Sequence, residues 1–86
     1  MSKITQPITV GSVQKNSAEE VRATFSNYRG HDLFDLRVYG KFGAAKTFMP
    51  SGKGVSVNIA KLPELIALLQ QADAQARSLG LIGGAE

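Results

Sequence analysis

Two neighbouring stretches of the chain alternate between apolar and polar residues, which is the pattern of half-buried β-strands. They cover residues 21–28 and 33–39, and their apolar positions are Val21, Ala23, Phe25, Phe34, Leu36 and Val38. Residues 29–32 lie between them and predict a turn, because Gly30 tolerates a positive φ. The pattern therefore predicts a β-hairpin.

Shorter patterns on both sides of the hairpin complete a predicted sheet. Residues 46–49 predict a short third strand that Pro50 ends, and residues 51–54 predict a tight loop. Every second residue of 55–59 is apolar, which predicts a fourth strand. The N-terminal region has mixed polarity and predicts a flexible arm with a short edge strand around residues 8–13.

The C-terminal part of the chain predicts a helix. Residues 63–79 carry apolar side chains at spacings of three and four. Pro63 suits the first helical turn, where its missing N–H is no loss. Gly80 suits the position after the helix, and Leu81 suits the hydrophobic contact of a Schellman ending. The order of elements predicts an α+β fold, with a four-stranded antiparallel sheet followed by one long C-terminal helix.

The apolar face of this helix is wide. At about 100° per residue it covers an arc of roughly 160°, whereas a helix that lies on one sheet needs a stripe of about 100°. The excess favours a homodimer in which helices pack together, and a helix seated deeply in a monomer is the alternative. The predicted dimer interface consists of Leu62, Leu65, Ile66, Leu69, Ala72 and Ala76.

The composition excludes several classes of protein. The chain has 86 residues, which is one small domain. It has no cysteine and one histidine, so it offers no disulfide and no cysteine- or histidine-rich zinc site, and we expect no metal or cofactor. No apolar run is long enough to span a membrane, and the N-terminus lacks the apolar segment of a signal peptide. We therefore expect a cytoplasmic protein without a membrane partner.

Catalytic motifs are also missing. Ser12 and Lys15 match the S-x-x-K pattern by chance, since the companion motifs are absent. The glycines around Lys53 do not have the spacing of a phosphate-binding P-loop. Asp32 and Asp35 lie three residues apart, which in a strand places them on opposite faces. They are therefore not a convincing acid/base pair. No catalytic residues are assigned, and an enzyme is not expected.

The charge distribution favours a polyanionic partner. The net charge is +3, and residues 20–61 carry seven Lys or Arg against three Asp or Glu, whereas residues 62–86 carry one against three. A solvated basic surface without a partner is the alternative. Cations interleave with tyrosines, a combination that binds single-stranded nucleic acid through phosphates and stacked bases. The candidate residues are Arg22, Tyr28, Arg29, Arg37, Tyr39, Lys41, Lys46 and Lys53.

The aromatic residues have alternative interpretations. Phe42 and Phe48 lie close to the basic residues in sequence, but they are predicted to be core residues. Tyr28 and Tyr39 are either stacking platforms for bases or caps at the edge of the sheet.

Several segments, taken in order, resemble the single-stranded-DNA-binding domain of the transcriptional positive cofactor 4 family. Its small bacterial members are the most similar. The matching segments are YRGHDLFDLRVY at 28–39, PSGKGVSV at 50–57, the helical region 62–79, QKNS at 14–17 and LPELI at 62–66. The resemblance covers roughly residues 10–79. It divides the chain into a flexible arm (1–12), a positive-cofactor-4-like domain (13–80) and a short tail (81–86).

The resemblance implies a homodimer whose helices pack together and whose two sheets form a channel for single strands. It implies that Tyr28 stacks on a base and that Arg29 and His31 are the basic positions around the turn glycine. It further implies that Arg37 is the strand arginine and that Lys53 is the second of two adjacent basic residues.

Three positions depart from the family pattern. Gly40 stands where the eukaryotic proteins have a strand-end tryptophan, Gly52 replaces the first of the paired basic residues, and His31 replaces a lysine. The acidic and serine-rich regulatory arm of the eukaryotic proteins is absent. These departures predict a lower affinity or a shifted ligand, and they make nucleic-acid binding a firmer expectation than a role in transcription.

The sequence therefore favours a homodimeric, largely sequence-independent single-stranded DNA-binding protein. It would act as a transcription cofactor or as a replication or repair accessory protein, and we expect it to be nucleoid-associated. One alternative is a dimeric adaptor that binds a protein, for example polymerase, through the sheet or the N-terminal arm. Another is an RNA-binding module, and melted duplex is a further possible ligand.

Overall fold

One antiparallel sheet and one helix make up the computed structural model, which describes residues 3–83. The strands follow sequence order across the sheet: β1 (Ile8–Gln14), β2 (Glu19–Tyr28), β3 (His31–Gly40) and β4 (Met49–Asn58). One turn of 3-10 helix (Ile59–Lys61) leads into helix α1 (Leu62–Ser78). The predicted α+β fold is confirmed. Within residues 3–83, no helix has the length and hydrophobicity that crossing a membrane requires.

The β2–β3 hairpin has the alternation that the sequence predicts. Three apolar pairs face each other across the ladder: Val21 with Val38, Ala23 with Leu36, and Phe25 with Phe34. Facing residues of an antiparallel pair point to the same side of the sheet. These six residues therefore lie on one side, which we call the apolar face.

The hairpin turn is tighter than predicted. Only Arg29 and Gly30 lie outside the strands, with φ values of 51° and 85°. Two positive φ values are typical of the type I′ turn, whose twist matches that of the flanking strands. The side-chain oxygen of Asn27 accepts a hydrogen bond from the Gly30 N–H at 3.3 Å, which helps to close the turn. His31 and Asp32, predicted as turn residues, begin β3 instead.

The prediction for residues 46–59 is wrong in two respects. Residues 46–48 belong to the connection between β3 and β4, so the predicted short strand is absent except for Met49. The predicted loop over residues 51–54 is part of β4. Pro50 does not end the strand, because β4 lies at the edge of the sheet, where a missing N–H is tolerated.

The glycine-rich segment of β4 forms a bulge. Arg37 pairs with Gly54 and Tyr39 pairs with Pro50, so three residues of β4 lie opposite Val38 alone. The Ser51 hydroxyl donates a hydrogen bond to the Val38 carbonyl at 2.9 Å and accepts one from the Lys53 N–H at 3.1 Å. One side chain thus replaces part of the interrupted ladder.

Gly54 lies at the closest approach of β4 to β3. A Cβ atom at Gly54 would lie 2.6 Å from the Leu36 carbonyl oxygen and 2.8 Å from the Arg37 Cα. We therefore expect Gly54→Ala to lower the free energy of unfolding by about 1–3 kcal/mol, measured by urea denaturation. Gly52→Ala is the matched control, because nothing lies within 4 Å of a Cβ there, and it should change stability by less than about 0.5 kcal/mol. Equal losses in both variants would contradict the register of β4.

The predicted edge strand near the N-terminus is present as β1. It pairs with β2 and carries an irregularity between Thr9 and Gly11. The boundary proposed between arm and domain at residue 12 falls inside this strand. The ends of the predicted arm (1–12) and tail (81–86) lie outside the described residues.

Helix α1 ends as the sequence predicts. Gly80 has a φ of 76°, the Leu81 N–H donates to the Ala76 carbonyl at 2.8 Å, and the Gly80 N–H donates to the Arg77 carbonyl at 3.1 Å. These two hydrogen bonds define a Schellman motif.

The single chain has almost no core. Phe34 is the only large apolar residue of 3–83 that is buried, and α1 contains no buried residue. Leu68 and Leu69 are 58% and 53% exposed. The radius of gyration is 15.5 Å, against about 12 Å for a compact chain of this length. The alternative of a helix seated deeply in a monomer is therefore wrong, and both the apolar face and α1 remain open.

Candidate nucleic-acid interface

The second side of the sheet collects five of the predicted site residues. We call this side the polar face; on β2 and β3 it consists of Glu20, Arg22, Thr24, Ser26, Tyr28, His31, Leu33, Asp35, Arg37 and Tyr39. Tyr28 pairs with His31 and Arg22 pairs with Arg37, whereas Tyr39 pairs with Glu20. The period of two that predicted the strands is therefore also what brings these side chains together.

The hairpin end of the polar face holds an exposed aromatic ring beside a cation. Tyr28 is 59% exposed, and the guanidinium carbon of Arg29 lies 5.1 Å from its ring centroid. His31 lies directly across the ladder from Tyr28. Within residues 3–83, Arg29 has no carboxylate partner. An unpaired base can stack on such a ring while the guanidinium contacts its phosphate.

Arg37 is already held by other groups. Its Nε and Nη2 donate to the two carboxylate oxygens of Asp35 at 3.0 and 2.8 Å, and its Nη1 donates to the Ser51 carbonyl at 3.2 Å. The hydrogen bonds and the charge of Asp35 raise the pKa of Arg37 above its ordinary value. The guanidinium thus braces β3 against the bulge of β4, and its charge is balanced.

Arg22 has a similar arrangement. Its Nε donates to Glu20 Oε2 at 2.6 Å, and its guanidinium carbon lies 4.1 Å from the centroid of the Tyr39 ring. One side of the Tyr39 ring is therefore covered by a cation, and Tyr28 is the more open stacking surface. The ion pairs of the two arginines have a signal in the sequence. Glu20 and Arg22 are two residues apart in a strand and therefore share a face, and the same holds for Asp35 and Arg37.

The three predicted lysines lie outside the paired positions of the polar face. Lys41 and Lys46 are exposed in the β3–β4 connection, and Lys53 is exposed in the bulge of β4. Lys53 has a small electrostatic effect on Glu19: hydrogen bonds from Asn16 and Lys15 are the main cause of the lowered pKa of Glu19, and the charge of Lys53 lowers it further. Among the described residues, none forms an ion pair with these three lysines. Their charges are available to a polyanion.

The prediction that Phe42 and Phe48 are core residues is wrong. Phe42 is 42% exposed, and Phe48 is half-buried. A Cβ at Gly40 would lie 2.8 Å from the Cζ of Phe42. The Phe42 ring therefore occupies the space beside Gly40 that a side chain at this position would need. The sequence signal for this packing is a glycine at a strand end with an aromatic residue two positions later.

A groove that the sequence did not predict lies beside Phe48. Its volume is about 330 Å³, and it is lined by Ser12, Gln14, Asn16, Ser17, Glu19, Glu20 and Phe48. These residues come from β1, the β1–β2 connection, the start of β2 and the residue before β4. Only the folded sheet brings such distant segments together.

A four-stranded antiparallel sheet with an aromatic and basic face, followed by one helix, defines a small nucleic-acid-binding domain. The family model "Transcriptional Coactivator p15 (PC4)" matches residues 15–68, which is more than half of the chain. The chain therefore belongs to the PC4 family, a family of non-enzymatic DNA-binding coactivators. The resemblance noted from the sequence is confirmed.

Solved structures agree with this assignment. A PC4 homolog from Burkholderia pseudomallei, in its tetragonal crystal form, has a TM-score of 0.70 and 26% identity to the chain, covering 79% of the chain and 98% of the homolog. The orthorhombic form has the same TM-score and identity, with coverages of 84% and 96%. No curated protein sequence gives a significant match.

Proposed function

We propose that the protein is a homodimer that binds single-stranded DNA on its polar face, largely through phosphates and stacked bases. The observation that carries this proposal is the exposed ring of Tyr28 beside the guanidinium of Arg29, which has no carboxylate partner within residues 3–83, in a PC4-like nucleic-acid-binding domain. The bases of a duplex are paired and stacked on one another, so they cannot stack on such a ring. The arrangement therefore favours single strands.

The proposed dimer follows from the open apolar surfaces. Ile66 is 46% exposed and Leu69 is 53% exposed, and Val55 on the apolar face is 49% exposed. Specific interfaces bury about 1,200–2,000 Å² in total, and burial of apolar area is their main source of stability. A second copy would cover α1 and supply the core that a single chain lacks. We retain the predicted interface residues: Leu62, Leu65, Ile66, Leu69, Ala72 and Ala76.

The open cations would follow the phosphates. Arg29, Lys41, Lys46 and Lys53 lack carboxylate partners within residues 3–83, whereas Arg22 and Arg37 are paired. Balanced guanidinium groups release few counterions on binding, since their charge is already compensated. We therefore assign the salt-dependent part of the affinity to Arg29, Lys41, Lys46 and Lys53.

Lys53→Ala tests this assignment. We expect it to weaken binding of all single strands about equally and to make the slope of log K against log salt shallower by about 0.7, the value for one phosphate on a single strand. Fluorescence anisotropy with a labelled thymidine oligomer at several salt concentrations measures both quantities.

Lys61→Ala is the matched control for this experiment. It removes the same charge, but Lys61 is the last residue of the 3-10 turn before α1, and its Nζ is 3.3 Å from Glu64 Oε2. The slope should remain unchanged in this variant. An equal change in both variants would show that net charge alone, and not a groove containing Lys53, governs binding.

The proposed cellular role follows from the family. A coactivator of this kind would act at melted DNA in transcription, with replication and repair as related settings, in the nucleoid of the cytoplasm. The adaptor alternative predicts binding of a protein partner without salt-dependent binding of single strands. The RNA alternative predicts equal binding of ribose and deoxyribose strands, and we favour DNA on the family assignment.

A further inference from the structure

The groove beside Phe48 lies at the end of the polar face that is far from the hairpin turn. Three of the residues that line it belong to the polar face: Ser12, Gln14 and Glu20. Ser12 pairs with Arg22 and Gln14 pairs with Glu20, and facing residues of an antiparallel ladder point to the same side. A strand that follows the polar face away from the turn therefore reaches this groove.

The two phenylalanines of the β3–β4 connection lie on different sides of the sheet. Gly40 pairs with Glu19 and so belongs to the side of the apolar face, and the Phe42 ring fills the space next to Gly40. Phe48 instead lines the groove together with residues of the polar face. Phe48 is therefore the aromatic residue of this connection that a strand on the polar face can contact.

Each end of the polar face thus has an aromatic ring beside a cation. The guanidinium carbon of Arg29 lies 5.1 Å from the Tyr28 ring centroid, and the Nζ of Lys41 lies 5.9 Å from the Phe48 ring centroid. Neither cation has a carboxylate partner within residues 3–83, whereas carboxylates balance the two arginines between the ends. The polar face therefore offers two separated points of attachment.

The two carboxylates that line the groove are each paired with a cation. Glu19 lies 3.1 Å from the Nζ of Lys15, and Glu20 lies 2.6 Å from the Nε of Arg22. Their negative charges are compensated, and Lys41 adds a positive charge beside the groove. The electrostatics of the groove are therefore compatible with a strand of phosphates.

We propose that this groove is a second base-binding position, in which one base stacks on Phe48 while Tyr28 holds another base of the same strand. The inference rests on the proposed single-strand binding and adds to it the length of strand that one protomer engages. A volume of about 330 Å³ is sufficient for one base and lies at the small end of ligand pockets. Lys41 contacts the phosphate next to this base, as Arg29 does at the other end.

Most of the length of β2 separates the two positions. Arg22 and Glu20, which mark the groove end, are about six and eight residues from Tyr28, or roughly 20–26 Å at about 3.3 Å per residue. A stacked strand advances about 3.4 Å per nucleotide, so about six to eight nucleotides connect the two rings, and fewer where the strand is extended. Two adjacent bases cannot reach both rings.

The test uses oligomers of about twelve nucleotides in which every position except two is abasic, so that the number of phosphates stays constant. The two remaining thymines are either adjacent or separated by about four or about seven nucleotides. We expect the better of the separated pairs to bind about fivefold or more tightly than the adjacent pair, since stacking of a second base adds at least about this factor. Fluorescence anisotropy measures the affinities.

Three variants assign the second position to Phe48. Phe48→Leu keeps an apolar side chain but removes the ring, so it should abolish the advantage of the separated pair. Phe48→Tyr keeps the ring and should preserve the advantage. Phe42→Leu is the matched control, because it removes a ring from the same connection on the other side of the sheet, and it should also preserve the advantage.

Each outcome decides the inference. Equal binding of separated and adjacent pairs by the unaltered protein would overturn the second position and leave single-strand binding at Tyr28 intact. An advantage that survives Phe48→Leu, or that Phe42→Leu abolishes equally, would also overturn it. Failure to bind an unmodified thymidine oligomer would overturn the proposed function together with the groove. If Phe48→Leu does not fold, Ser12→Ile decides, since it extends an apolar side chain into the groove from β1 and should abolish the advantage.

Discussion

Leu69→Asp is expected to abolish the dimer. Leu69 lies at the centre of the apolar arc of α1 and is 53% exposed in the single chain. In a symmetric dimer each substitution occurs twice in the same interface. An uncompensated buried charge costs about 3–5 kcal/mol, which is enough to dissociate a small interface at micromolar concentration. Light scattering should give twice 9.2 kDa for the unaltered protein and a single-chain mass, or an unfolded chain, for the variant.

Gln71→Asp is the matched control for the dimer experiment. Gln71 is exposed and lies roughly 160° around the helix from Leu69, at about 100° per residue. It introduces the same side chain outside the apolar arc, so the dimer mass should be retained. A monomeric mass for the unaltered protein would contradict the proposed assembly. A dimer that survives Leu69→Asp would place the interface elsewhere.

Tyr28→Ala should produce the largest loss of single-strand affinity among single substitutions on the polar face. Stacking of one base on an aromatic ring contributes about 1–3 kcal/mol, so the dissociation constant should rise about 5- to 150-fold. The loss is expected without a loss of stability, because the ring is 59% exposed and its main neighbour is Arg29. Anisotropy titration and thermal denaturation of the same sample measure both.

Tyr28→Phe separates stacking from hydrogen bonding. It keeps the ring and removes the hydroxyl, so it should retain most of the affinity. If Tyr28→Ala binds as tightly as the unaltered protein at an unchanged melting temperature, Tyr28 is a cap at the sheet edge and not a stacking platform. If Tyr28→Phe loses as much affinity as Tyr28→Ala, the hydroxyl and not the ring provides the contact.

Local alternation explains how much of the fold could be predicted. The β2–β3 hairpin and α1 follow from residues that are close in sequence, because their apolar positions repeat with the period of the element itself. The β4 strand was mispredicted because Pro50 and the neighbouring glycines are usual strand breakers. Whether they break a strand depends on its place in the sheet and on the bulge that Ser51 stabilises, and neither is encoded locally.

The candidate site was predictable to a similar degree. The alternating pattern predicts that Arg22, Tyr28, Arg37 and Tyr39 share one face. It does not predict that carboxylates balance the charges of the two arginines. Their pairing with carboxylates two residues away depends on side-chain conformation, although the shared face was a usable signal. The groove beside Phe48 is assembled by register between distant segments and had no local signature.

Titration of a labelled thymidine oligomer, a uridine oligomer and a duplex of equal length, each at two salt concentrations, tests the central claim most directly. The proposed polar-face interface predicts that the thymidine oligomer binds more tightly than the duplex. Three to six phosphate contacts per protomer predict a slope of log K against log salt of roughly −2 to −4. Equal binding of the uridine oligomer would extend the function to RNA. Binding that is indifferent to salt, or tighter for the duplex, would contradict the single-strand interface and favour a protein-binding adaptor.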